Sequence, residues 1–237
     1  MSYDLLAIGA HPDDIEVGCG GVLIDLASHG YTCGMVIMTL GEMGTGGSVD
    51  IRKQEAKDAA SILGADILGH FNWGDTKLED TSANRLEIAR IIRVAKPKII
   101  LTPYPQVAHG RRQSHPDHVA AGIITVNAAN IASLRKADVP GEPHQVQRVF
   151  HYFLPPGVFP TFVVDITVHY DKWIASLSAH KSQFLNPDKG RDYIEQLTAM
   201  SRSFGQLARC KYGLGFAAFE PPLIGDMMSL VEQPEMK

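Results

Sequence analysis

Residues 4–9 (DLLAIG) form a short apolar run closed by glycine, the pattern of a strand buried on both faces. Over 15–29 the apolar positions fall at helical spacing (Ile15, Val22, Leu23, Leu26), and Gly30 stands where a helix terminates. Residues 32–40 (TCGMVIMTL) predict a second strand, and 41–50 (GEMGTGGSVD) a glycine-rich loop. Asp50 is expected to cap a helix over 51–63, with Ile51, Ala56, Ala59, Ala60 and Leu63 inward and Gly64 at its end. A strand over 66–73, a helix over 82–96 with Leu86, Ile88, Ala89 and Ile92 inward, a strand over 98–103 and a helix over 115–134 continue the alternation.

Strands alternating with amphipathic helices predict βαβ units: an α/β fold with a mainly parallel sheet and helices on both faces. The last third is less regular. Strands are expected near 146–154, 161–167 and 211–219, and helices near 169–185 and 188–209. No repeat or linker interrupts the chain, so residues 1–237 are read as one domain with an elaborated C-terminal third.

Composition narrows the options. With 45% apolar and 20% charged residues over 237 positions, the chain can bury a full core. Its net charge of −4 gives no basic field for nucleic acid. Three scattered cysteines, Cys19, Cys33 and Cys210, make neither a disulfide framework nor a thiolate zinc site. A reducing cytoplasm is the expected compartment. The first residues lack a basic, then apolar, leader pattern, and no apolar stretch reaches membrane-spanning length, so no membrane association is expected.

The chemistry sits in two histidine–aspartate clusters. The first strand runs into Gly9-Ala10-His11-Pro12-Asp13-Asp14, and the strand over 98–103 leads to His115-Pro116-Asp117-His118. Ligands in doubly wound sheets bind beyond the carboxyl ends of strands, where the first and fourth strands are often neighbours. Imidazole with carboxylate suits a divalent metal, and three protein ligands that leave an open position make a catalytic site. His11 and Asp14, three apart at a helix start, could face one ion, and His118 could complete the set. Asp13, out of phase with the ligands, is the candidate base. His115, one turn before His118, is a candidate acid or oxyanion donor, and Asp117 a candidate to orient His115. Either cluster alone would carry little weight: Asp13 or Asp14 could simply cap a helix.

Gly9, Gly18, Gly20 and Gly21 do not fit the dinucleotide spacing, and two carboxylates in that turn would repel a pyrophosphate. No P-loop sequence is present. Around the crevice, Glu42 would point inward if the second strand ends at Leu40. Arg52 suits a bidentate grip on hydroxyl or carboxylate oxygens. Tyr104 is placed either to reach an oxyanion or to pack in the core. Arg111 and Arg112, if they face the crevice, would favour an acidic aglycone such as malate.

The two clusters together resemble the PIG-L (LmbE-like) zinc-dependent N-deacetylases of N-acetylglucosamine derivatives, among them the bacillithiol and mycothiol enzymes. Weaker matches are Arg52-Lys53-Gln54-Glu55-Ala56 and His180-Lys181-Ser182-Gln183-Phe184. The resemblance implies a Rossmann-like sheet without a dinucleotide, with zinc on His11, Asp14 and His118. It also implies Asp13 as base, His115 facing the tetrahedral intermediate, and Arg52 on the sugar. Fe2+ or Co2+ would suit the same ligands. A small amino-sugar substrate is implied, the malate glycoside of bacillithiol synthesis being one candidate, and a homo-oligomer. An amidase on thiol conjugates, a chitooligosaccharide deacetylase and a non-catalytic, metal-stabilised sugar-binding protein remain open. The segment 106–113 and the ending Phe216-Ala217-Ala218-Phe219-Glu220 depart from the bacillithiol-type pattern.

Overall fold

The fold is taken from a computed structural model, which describes residues 2–106, 115–186 and 192–230. Five strands make a parallel sheet in the order β3-β2-β1-β4-β5: β1 (Leu5–Gly9), β2 (Cys33–Ile37), β3 (Ala65–His70), β4 (Ile99–Pro103) and β5 (Arg148–Tyr152). The central strands β1 and β2 are buried at every position, as their unbroken apolar runs require.

Alternate residues of β1 feed two cores. Leu5 and Ala7 pack towards α1 (Asp14–Ser28), α2 (Val49–Leu63) and Trp173 of α5 (Tyr170–Ala179). Leu6 and Ile8 face α3 (Ser82–Ala95) and α4 (Pro116–Ser133). The α/β reading and the helices on both faces hold.

Local chemistry sets the helix ends, with some differences from expectation. Ser48, not Asp50, caps α2, accepting from the Ile51 N–H at 3.3 Å, and Gly64 ends it in the left-handed region at φ 74°. The α2 helix therefore starts earlier than predicted. Ile51 lies on its exposed first turn, 51% accessible, and Leu86 is at the edge of the α3 stripe rather than inside it. The run over 169–185 divides at His180 into α5 and the single turn α6 (Lys181–Phe184), followed by α7 (Tyr193–Ala208).

The irregular last third forms an antiparallel pair, β6 (Phe162–Asp165) with β7 (Gly213–Phe216), joined to β5 by a bridge between His151 and Ala217. Among the described residues no helix is long and apolar enough to cross a membrane. Arg111 and Arg112 lie outside the described residues, as does His109.

Because the sheet is parallel, the segments that follow all five strands emerge at one end. The strand order places those after β2 and β3 on one side of the β1/β4 crevice and the one after β5 on the other. Gly18 of α1 allows a close approach here: a Cβ would run into the Tyr152 ring, whose hydroxyl donates to the Ile8 carbonyl at 2.6 Å.

Candidate active site

The two clusters meet. β1 and β4 are direct neighbours, and the His118 Nε2 lies 3.0 Å from the Asp14 Oδ1, while the His11 Nδ1 is 3.4 Å from the Asp14 Oδ2. The His11 and His118 rings are 5.2 Å apart, and the ligand atoms of His11, His115 and His118 all fall within 4.8 Å of one another. The Asp14 Oδ2 also accepts the backbone N–H groups of Ala10 and His11, both at 2.8 Å, so the carboxylate is fixed by its own turn rather than spent on capping a helix.

Asp13 occupies the N-cap position of α1 but makes no side-chain capping bond. Its backbone stands at φ 136°, which a non-glycine residue rarely adopts. That conformation turns consecutive carboxylates to different tasks. Arg52, 4% accessible, secures the turn by donating to the carbonyls of Gly41 at 2.5 Å and Pro12 at 2.9 Å, and it reaches the Asp13 carboxylate at 3.4 Å.

The electrostatics fit a cation. Burial works against a charged His11, but the Asp14 charge and the hydrogen bonds of Asp117 and Asp14 outweigh it and carry its pKa up to about 11. A pocket that holds a proton so firmly on an imidazole is one in which negative charge exceeds positive. Burial resists the charged form of Asp14 too, yet His118 and His11 beside it hold its carboxyl well below the usual range. Asp13 goes the other way. Burial lifts it to about 6, the Arg52 charge opposing and the Asp14 charge adding to the rise. One carboxylate is thus kept anionic and its neighbour poised near neutrality, the separation that gives two adjacent acids two roles.

Asp117 corrects an expectation. Its carboxylate does not hydrogen-bond His115, whose Nδ1 lies 4.0 Å from its Oδ2; only its backbone N–H reaches that nitrogen. Residues two apart on a helix do not face each other. The Asp117 Oδ2 is instead 3.1 Å from the His11 Nε2 and accepts the Thr76 N–H at 2.6 Å. In the neutral ring, a proton on Nε2 shared with Asp117 would put the Nδ1 lone pair on the Asp14 side, the carboxylate–histidine arrangement that fixes a ligand's tautomer.

His115 caps α4: its Nδ1 accepts the Asp117 N–H at 3.3 Å. Burial, then the positive charge on His11 and His118, lowers its pKa. A neutral ring with Nδ1 as acceptor carries its proton on Nε2. His115 is therefore a hydrogen-bond donor at this site.

Of the three expected substrate contacts, Arg52 makes the turn contacts just described. The Glu42 Oε1 accepts the Asp75 N–H at 2.8 Å and so ties two loops together. Tyr104 lines a cavity of about 470 Å³ that opens beside His115 and His118.

Sequence reasoning missed Asp75, whose Oδ1 is 3.2 Å from the His11 Nε2 and whose Oδ2 accepts the Met43 N–H at 3.0 Å. It lies past the end of β3, where the strand-end rule that found the other clusters applies equally. Phe153 was missed too. Just past β5, at φ 58°, its ring lies against His118 with centroids 4.7 Å apart. The two weaker motifs meet each other: Ser182 donates through N–H and hydroxyl to the Glu55 carboxylate at 2.8 and 2.7 Å, and Gln183 donates to the Gly46 carbonyl at 2.7 Å. They tie α6 to α2 and, through Gln183, to the glycine-rich loop.

A parallel α/β sheet with a His/Asp cluster beyond its β1/β4 strand ends, where such folds place their ligands, makes a site whose donors could hold a divalent metal. The family model for PIG-L, described as GlcNAc-PI de-N-acetylase, matches residues 6–129, and the chain belongs to that family. It is 30% identical over 223 residues to the diacetylchitobiose deacetylase of Thermococcus kodakarensis, covering 89% of this chain and 81% of that one. The crystal structure of the conserved protein TT1542 from Thermus thermophilus superposes with a TM-score of 0.83 at 36% identity, covering 95% and 98% of the two chains. The fold is also shared by GalB, a 4-carboxy-2-hydroxymuconate hydratase from Pseudomonas putida, at TM-score 0.82 and 22% identity over 96% and 100% of the chains. The architecture by itself therefore does not fix the reaction.

Proposed function

We propose that the protein is a metal-dependent N-deacetylase of N-acetylglucosamine derivatives. The observation that carries the reading is the convergence of His11, Asp14 and His118, with Asp13 beside them held by Arg52, in a chain of the PIG-L family. His11, Asp14 and His118 would hold the ion; zinc suits the donor set best, with Fe2+ or Co2+ as alternatives. When bound, the ion supplies Lewis acidity to the amide carbonyl and to a water.

The chain's own groups do the rest. Asp13 takes the proton of the attacking water, a task that needs its carboxylate form and is helped by a pKa near the working pH. His115 donates from Nε2 to the carbonyl oxygen as negative charge gathers there. Asp117 keeps His11 oriented. The proton gained by Asp13 is the one available to the departing amine, and the products are the free amino sugar and acetate.

Substrate identity is proposed more coarsely. The malate glycoside rests on Arg111 and Arg112, and the chitooligosaccharide alternative on the relative named above. A purely binding role gives no reason for a strained, non-capping Asp13. The test is acetate release by metal-reconstituted protein from free N-acetylglucosamine, its malate glycoside, diacetylchitobiose and a thiol-conjugate amide. Acetate from the first three, or amine from the fourth, supports amide hydrolysis and ranks the substrates. Binding of all four without turnover contradicts it.

A further inference from the structure

The cavity beside His115 and His118 is far larger than the proposed deacetylation needs. A cavity that just holds a water molecule, about the size of a methyl group, measures about 10–15 Å³, whereas this one measures about 470 Å³. Its walls include Tyr104 after β4, Phe153 and Leu154 after β5, Met200 and Phe204 on α7, and Leu214 on β7. Apart from the two histidines, none of its described lining residues is ionisable other than Tyr104. Among the described lining residues, only His115, His118 and Tyr104 offer side-chain nitrogen or oxygen atoms to the hydroxyls of a sugar ring.

The opposite side of the crevice has the reverse character. It holds Asp13, the exposed Glu42 carboxylate and the Asp75 loop, the polar groups a sugar would seek. An amide has two substituents pointing away from each other. With its carbonyl against the His11, Asp14 and His118 corner, one substituent meets the polar bank and the other enters the apolar cavity. Hydroxyl pairing sends the amino sugar to the polar bank, and the acyl group is left for the cavity.

We infer that this cavity is an acyl subsite, and that the enzyme hydrolyses amino-sugar amides whose acyl group is an apolar chain or ring larger than acetyl. The inference rests on the proposed amide hydrolysis and adds the substrate's acyl class. Each methylene buried in such a pocket adds discrimination in favour of the longer chain.

The experiment compares N-acetyl-, N-butanoyl- and N-hexanoylglucosamine, with the hexyl glycoside of N-acetylglucosamine as a fourth arm. It uses the metal-loaded wild type and Met200→Trp, which narrows the cavity from α7. Leu207→Trp, on the same helix but outside the cavity lining, is the control for any general effect on α7. The expected result is a kcat/KM for the hexanoyl amide at least about tenfold above that for the acetyl amide. That preference should fall about tenfold in Met200→Trp and persist in Leu207→Trp. Calorimetry on the metal-free protein gives a readout without turnover: hexanamide should bind about tenfold tighter than acetamide.

Turnover of the acetyl amide without a hexanoyl preference overturns the acyl subsite and leaves the proposed deacetylase standing. Absence of turnover on every amide sinks both. A preference for the hexyl glycoside alone puts the apolar group on the sugar side and overturns the assignment, as does a hexanoyl preference unmoved by Met200→Trp.

Discussion

The two banks of the crevice are built from opposite materials. On the β2/β3 side, polar groups are knitted to one another: Arg52 to Gly41 and Pro12, Glu42 to the Asp75 N–H, and Asp75 to the Met43 N–H. On the β5 side, aromatic and aliphatic side chains line a cavity with no such network among the described residues. The first bank sets charge and proton affinity. The second sets shape. The metal corner stands where the two meet, so substitutions on either side should disturb different observables.

The largest effect is expected at the junction. His118→Ala should reduce bound metal, measured by atomic emission, from about one ion per chain to near zero and take turnover to background. Retention of metal and activity would break the comparison at its centre. Asp13→Asn should keep the metal but lower kcat by roughly 10²–10⁴-fold, the range for a lost proton-transfer group. A near-native rate would remove Asp13 from its role.

The next two substitutions probe the banks separately. Leu214→Ala, on the apolar side and 3% accessible, should cost about 2–5 kcal/mol in urea unfolding. Its metal affinity should stay unmoved. On the polar side, Asp117→Asn should weaken metal binding by about 10–100-fold through the loss of the His11 contact. A competition titration with a chelating dye measures both. If Leu214→Ala shifts metal affinity as far as Asp117→Asn does, the division into banks is wrong.

The smallest effect is a shift in pH dependence. The Arg52 charge opposes the rise of the Asp13 pKa. Removing it in Arg52→Gln raises that pKa further above the usual carboxylate value. The base works only when deprotonated, so the acid limb of kcat/KM should move to higher pH. A limb that stays in place, or moves down, would show that Arg52 does not act on Asp13.

Much of this architecture was legible in the sequence because strand burial and helix stripes write themselves as local periodicity. The crevice between β1 and β4, and the pairing of its two clusters, followed from the strand order that such alternation favours. What stayed illegible was nonlocal. The cavity walls come from segments spread from Val17 to Gly215, and each apolar residue there reads like ordinary core. Sequence proximity pairs Asp117 with His115, but helix geometry turns it towards His11, more than a hundred residues away. Arg52 reads as an exposed helix-start residue or a sugar ligand, and only the path of the glycine-rich loop reveals the backbone carbonyls it serves.

The most direct test is anomalous diffraction from a zinc-soaked crystal of the protein, collected on both sides of the zinc edge. The account predicts a single strong peak enclosed by His11, Asp14 and His118, with Asp13 nearby but not bonded to it. No peak in the crevice, or one held by Asp75 and Asp117 away from Asp14 and His118, would contradict it.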